Sequence, residues 1–256
     1  MSRTWSYGLA GLAGFVALLE VIPRAGLVPA GYLPPAAEIA VALGGELTDV
    51  AFWVALRDTL QGWVLGLLLA ASAGIALGLL IGAVPVLREL TASTIEFLRP
   101  IPSVALIPLV VVLYGASLQS KLVLVVYAAF WQMLVQVLYG VRDVDPVADE
   151  TARAYGLGRG ARIVHVLWPT ALPYVMTGLR LAAAVALILC VTGELVIGVP
   201  GLGARIAVAQ SSGAVPDLYA LIVVTGLLGV AINVGARAVE RHALRWHQSV
   251  RGEVAV

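Results

Sequence analysis

Two ionisable residues, Arg180 and Glu194, stand inside one long apolar run of this 256-residue chain and are the first candidates for chemistry. A charge in hydrocarbon is costly, so such residues mark a pathway, a gate or a buried partnership. They are fourteen positions apart. At 1.5 Å rise per residue that is about 21 Å along a helix, so they cannot pair within one helix. Glu194 is therefore a candidate gate or pathway residue, with a structural role or a place at the outer interface as alternatives. Arg180 is a candidate for attracting an anion. Gln132 and Gln136, four apart, share one helical face and either line a pathway or bridge helices. Tyr127 and Trp131 fit packing or interfacial aromatics.

Other chemistries find no footing. His165, His242 and His247 all lie in polar or interfacial stretches, and neither Gly-x-Ser-x-Gly nor His-Glu-x-x-His occurs. No phosphate-cradling G-x-x-x-x-G-K-[ST] loop is present, so the chain binds no ATP of its own. The single cysteine, Cys190, sits in an apolar run and reads as a packing residue. The chain is expected to be neither an enzyme nor a holder of metal or cofactor. A net charge of +1 gives no basic stripe for nucleic acid.

The elements that position these residues are set by the solvent. Hydrophobic residues make up 61% of the chain and charged residues 12%, against roughly 25% charged in soluble domains. Much of the surface must face lipid. Runs near the ~20 residues needed to span a bilayer occur at about 7–28, 52–84, 121–140, 171–199 and 218–239. A sixth, 103–115, is short. Arg3 before an apolar run also fits a signal peptide. The length of the run, Glu20, Pro23 and the lack of a small-residue cleavage site favour a retained helix. Gly62, Gly66, Gly74, Gly78 and Gly82 recur at multiples of four and predict a close helix–helix contact. Arg99 and Ile101, each before a proline, should be extended. The expected fold is all-α, a polytopic transmembrane helical bundle of about six spans forming one domain over 1–256.

Orientation follows from the basic residues. If the polar segment 141–168 is cytoplasmic, both termini are too. Arg3, Arg88, Arg99, Arg142, Arg153, Arg159, Arg162, Arg237, Arg241, Arg245 and Arg251 then lie inside, against Arg24, Arg57, Lys121 and Arg205 outside. That split is the positive-inside pattern.

The polar segment itself reads as a docking knob. Asp149 or Glu150 suits a helix N-terminus, with Glu150 capping a short helix to about Leu157. Gly156, Gly158 and Gly160 allow a sharp bend, and a second short helix from Arg162 is expected to stop at Pro169 and Pro173. Arg153, Arg159 and Arg162 either pair with acids on a partner or serve as plain interior charges.

Here the chain resembles a known family. Glu150, Ala152, Gly156, Pro169 and Leu172-Pro173 are similar to the "EAA" loop of binding-protein-dependent ABC transporter permeases, with Thr151 replacing the first alanine. Val166 and Trp168 replace its Ile and Leu. Phe97-Leu-Arg-Pro-Ile-Pro, Gly140-Val-Arg-Asp-Val-Asp-Pro, Gly193-Glu194, Gly201-Leu-Gly203 and Glu240-Arg…Trp246 resemble the nitrate/sulfonate/taurine branch. The resemblance covers roughly 55–248, with the coupling loop at about 146–173.

The resemblance implies a type I ABC importer permease in the bacterial inner membrane. It implies a dimer of ATP-binding cassette ATPases that carries ATP and Mg beneath the permease, and a second permease copy, as a homodimer. An extracytoplasmic substrate-binding protein would deliver a small anion or sulfonate of the taurine, alkanesulfonate or nitrate type. A thiamine precursor or aromatic acid is the alternative cargo. Glu150, Ala152, Arg153, Gly156, Arg159, Arg162 and Pro169 would couple to the ATPase. A secondary transporter would usually show internal repeats and a buried ionisable relay. No repeat is evident, and only Glu194 and Arg180 are relay candidates.

Overall fold

The computed structural model describes residues 2–29 and 31–246, so His247 and Arg251 lie outside the described residues. All regular structure among them is helical: α1 (Ser2–Arg24), α2 (Ala36–Thr48), α3 (Val50–Ala83), α4 (Pro85–Leu98), a 3-10 turn (Ser103–Leu106), α5 (Ile107–Tyr114), α6 (Leu118–Arg142), α7 (Pro146–Ala154), α8 (Arg159–Arg162), a π turn (Ile163–Leu167), α9 (Trp168–Ile197), α10 (Leu202–Ser211) and α11 (Val215–Ala243). Among the described residues five helical stretches are long and apolar enough to cross a membrane. A sixth arises if α4 and the 103–114 pair, bent by 81°, count as one broken span. This matches the five spans and one short segment expected.

The chain forms two compact units. The first comprises Met1–Thr59 and Glu194–Leu228. Its α2 and α10 lie outside the apolar runs expected to span the membrane. Arg205 on α10 donates through Nη2 to Glu46 Oε2 at 2.7 Å and to Asp49 Oδ2 at 2.8 Å. The backbone N–H of Ala51 and then this guanidinium hold the Asp49 carboxyl below its ordinary value.

The second unit comprises Leu60–Gly193 and Gly229–Val256, and α6 is its buried centre. The glycine stripe of α3 lies on it. A Cβ added at Gly74, Gly78 or Gly82 would fall 2.5, 2.7 or 2.8 Å from the Cβ of Met133, Val137 or Val141. One at Gly62 would meet Lys121 Cε at 2.6 Å, and one at Gly66 would meet Val125. The glycines let two backbones approach and leave the space to the side chains of the facing helix. Cys190 is fully buried in the same core, beside Ala186 and Ala182. Tyr127 donates to the Leu98 carbonyl at 2.8 Å and stacks edge-on with Trp131, so both are packing aromatics.

Three local expectations are corrected. Arg99 is helical (φ −57°, ψ −42°) because its N–H closes the last turn of α4 on Ile95 O. The following proline biases against that conformation without forbidding it. Pro169 and Pro173 do not stop a helix, since residues Arg159–Ile197 run on as one span. A helical proline ring collides with the carbonyl four residues back. For Pro169 that is His165, inside the wider π turn. The first span ends at Arg24, short of residue 28.

Candidate functional site

The knob is built from its caps. Asp145 is the N-cap of α7, its Oδ1 accepting from the Val147 N–H at 2.9 Å, with Pro146 in the first helical position. This corrects the assignment of the cap to Glu150, which lies in the second turn. Asp-Pro is the stronger start because proline lacks only a donor that the first turn leaves unused. At the other end the Gly156 N–H bonds Arg153 O at 2.9 Å and the Leu157 N–H bonds Ala152 O at 3.0 Å. Gly156 sits at φ +79°. These paired bonds form a Schellman motif, which needs a left-handed residue where glycine stands. The expected elbow is therefore at Gly156. Gly158, in extended conformation, caps α8.

The elbow's second arm is not a separate short helix. It is the start of the span that continues through the π turn into α9. Asp149 ties the two arms together. Its carboxylate accepts from Arg162 Nε at 2.7 Å and Nη2 at 2.5 Å, and from Arg153 Nη2 at 3.3 Å. The Arg162 guanidinium, aided by Arg153, holds the Asp149 carboxyl below the usual carboxylate range. On α7 Ala152 is buried, whereas Val147, Tyr155, Ile163 and Val164 are exposed with Arg153 and Arg159. The knob thus exposes both apolar and basic side chains. Of the three arginines, Arg162 is spent on its own chain and Arg159 stays exposed. Pro169 is half-buried at the base.

The pathway candidates separate. Glu194 is fully buried and its Oε2 accepts from Thr59 Oγ1 at 2.8 Å and from the Gly203 N–H at 3.1 Å. Thr59 Oγ1 in turn accepts from the Leu202 N–H at 2.8 Å. Leu202 and Gly203 open α10, so the carboxylate sits at the positive end of that helix. Gly201, at φ +153°, lies where any Cβ would strike the Glu194 carboxylate. This geometry favours a structural latch on α10. Arg180 pairs with Glu240 at 3.3 Å, so its charge is already met by a carboxylate. Gln136 packs against Gly178, whose added Cβ would fall 3.0 Å from Gln136 Cβ. That suits helix bridging better than pathway lining. Gln132 is half-buried.

Sequence reasoning missed Thr59, Asp149 as a clamp, and Arg205. Thr59 gives no sequence signal, because its partner lies 135 positions away. Asp149 and Arg162 are thirteen apart, outside any helical spacing, and only the predicted elbow between them could have suggested a pair.

Comparisons with known proteins bear on the family and the fold. Residues 74–245 match the family described as binding-protein-dependent transport system inner membrane component. The taurine transport system permease protein TauC of Escherichia coli (strain K12) is 28% identical over 98% of this chain and 93% of its own length. The putative aliphatic sulfonates transport permease protein SsuC of Bacillus subtilis (strain 168) is 28% identical over 97% of this chain and 90% of its own length. A bacterial ABC transporter involved in import of the acidic polysaccharide alginate has a chain that superposes with TM-score 0.67 at 16% identity. That match covers 94% of this chain and 96% of the other, and it speaks for the fold alone.

Proposed function

We propose a function from one premise: the chain belongs to the family of binding-protein-dependent transport system inner membrane components. It is a permease subunit of an ATP-driven importer, and the knob at 146–168 is its contact with a separate ATPase. The observation that carries this is the continuity of the knob with a 39-residue span. A helix capped by Asp145, ended by a Schellman turn and tied by Asp149 to the base of that span can receive force on its exposed side chains.

The remaining machinery follows from the same premise. Two permease copies, as a homodimer, enclose the pathway. An ATPase dimer holding ATP and Mg sits on the knob side, and an extracytoplasmic binding protein supplies substrate on the other. The arginine distribution supports a cytoplasmic knob and cytoplasmic termini. ATP binding favours one of two states of the pair, and the knob transmits that preference to the spans. The relatives' names point to a small organosulfonate such as taurine as cargo.

The test is reconstitution of the permease with its ATPase and binding protein in lipid vesicles. ATP-dependent taurine uptake is expected, and Ala154→Cys should crosslink to the ATPase. Uptake without ATP, or labelling of that cysteine from the side facing the binding protein, refutes the reading. Uptake of nitrate but not taurine would keep the machine and change the cargo.

A further inference from the structure

We propose that Asp149 is a positioning residue that makes the coupling knob and the α9 span move as one body. The inference rests on the proposed importer function and concerns how that machine keeps transport tied to ATP.

Without Asp149 the elbow would be a hinge. Gly156, Gly158 and Gly160 lie within five residues, and a Cβ added at any of them would meet nothing within 4 Å. No side chain lies against these three positions, and glycine leaves their backbone the widest freedom. The Schellman bonds close the end of α7 but reach only from Gly156 and Leu157 back to Arg153 and Ala152. They do not cross to the second arm. The Asp149–Arg162 pair does, linking positions thirteen apart on either side of the glycines.

The pair has the features that let an ion pair act as a strut. Both nitrogens of one edge of the Arg162 fork meet the two carboxylate oxygens, which fixes direction as well as distance. The side chains are only 22% and 25% exposed, so water competes less than at an open surface. Arg153 adds a weaker contact from a side chain 63% exposed. Arg162 stands immediately before the π turn that leads into α9. A push on α7 therefore passes through Asp149 into the base of the span instead of being absorbed at the glycines.

The test uses charge exchange, with two readouts. The variants are Asp149→Asn, Asp149→Arg, Arg162→Asp and the double exchange Asp149→Arg/Arg162→Asp. In the permease alone, in lipid nanodiscs, amide hydrogen exchange of the segment 146–162 reports the hinge without any ATPase. We expect it to quicken on the order of tenfold in each single variant and to return toward the parent rate in the double exchange. In the reconstituted importer, the substrate carried per ATP hydrolysed should fall about fivefold or more in the single variants. It should recover at least half of that loss in the double exchange. A strut that served folding alone would change the yield of protein and leave this ratio intact. Unchanged exchange and an unchanged ratio in Asp149→Asn overturn the proposal, as does a double exchange no better than its parents. If the charge reversals fail to insert, Asp149→Asn, equal in size, decides by the same two criteria. An unmodified chain that binds no ATPase refutes the importer function instead, and the exchange measurement still judges the strut.

Discussion

Replacing Thr59 by valine should expose how much of the first unit hangs on one hydroxyl. Valine keeps the shape and removes two hydrogen bonds. Thr59 Oγ1 donates to Glu194 Oε2 and accepts from the Leu202 N–H, both at 2.8 Å, and Thr59 is fully buried. The Leu202 amide would be left without this acceptor, a loss of about 1–3 kcal/mol, and a bond to a charged acceptor contributes about 1.5–3 kcal/mol. Allowing for local relaxation, the sum is about 2–5 kcal/mol. At roughly 2–4 °C per kcal/mol for a chain of this size, detergent-solubilised protein should unfold roughly 4–20 °C lower. Thr59→Ser keeps the oxygen and should stay within about 3 °C, its remaining loss being one methyl group. Melting can be followed by the loss of the helical circular-dichroism signal. If Thr59→Val melts with the parent, or Thr59→Ser falls as far as valine, the hydroxyl is not the latch and Glu194 returns to candidacy as a gate.

Gly156→Val should abolish uptake with membrane insertion intact, because φ +79° costs a side-chain-bearing residue about 1–2 kcal/mol and a β-branched one more. Uptake at the parental rate would refute the elbow. Gly78→Leu should cut the yield of folded permease severely, since its Cβ would fall 2.7 Å from Val137 Cβ, whereas Gly235→Leu, with nothing within 4 Å, should not. Equal yields on size-exclusion chromatography would refute the packing of α3 on α6. The Asp149 carboxyl is depressed by Arg162, so the clamp's contribution is complete above its unfolded value near ~3.9 and is lost only as pH falls through the folded value. Hydrogen exchange of residues 146–162, corrected for the intrinsic pH dependence, should give the same protection at pH 6 and pH 8. A loss of protection at pH 6 would refute that assignment.

The spans were legible because lipid imposes length and composition on each helix separately. The α3 stripe was legible because helical spacing carries packing information within one segment, and Val125, Met133, Val137 and Val141 answer it residue for residue. The elbow was legible because left-handed backbone selects glycine. What escaped depended on distant partners. The helix α10 gains its N-terminal support from Thr59 and Glu194, and nothing within 202–211 announces that. Pro169 and Pro173 read as stops by rules learned in water. In a long apolar helix the wider turn at 163–167 takes up the first ring. The cap at Asp145 was available in the sequence as Asp-Pro and was overlooked beside the more conspicuous acids that follow it.

The π turn also fixes how many residues this region can have. One extra residue there advances the helix without advancing its hydrogen-bond count, and each helical residue turns the chain by about 100°. Deleting any one of Ile163–Leu167 would restore regular winding and swing the whole knob, Asp149 and Arg162 together, about a quarter-turn around the axis of α9. An insertion would do the same in the other direction. Substitutions along this stretch can be absorbed side chain by side chain, whereas a change in length cannot. Among homologous sequences, gaps should therefore cluster outside 163–167, even where the residues inside that window vary freely.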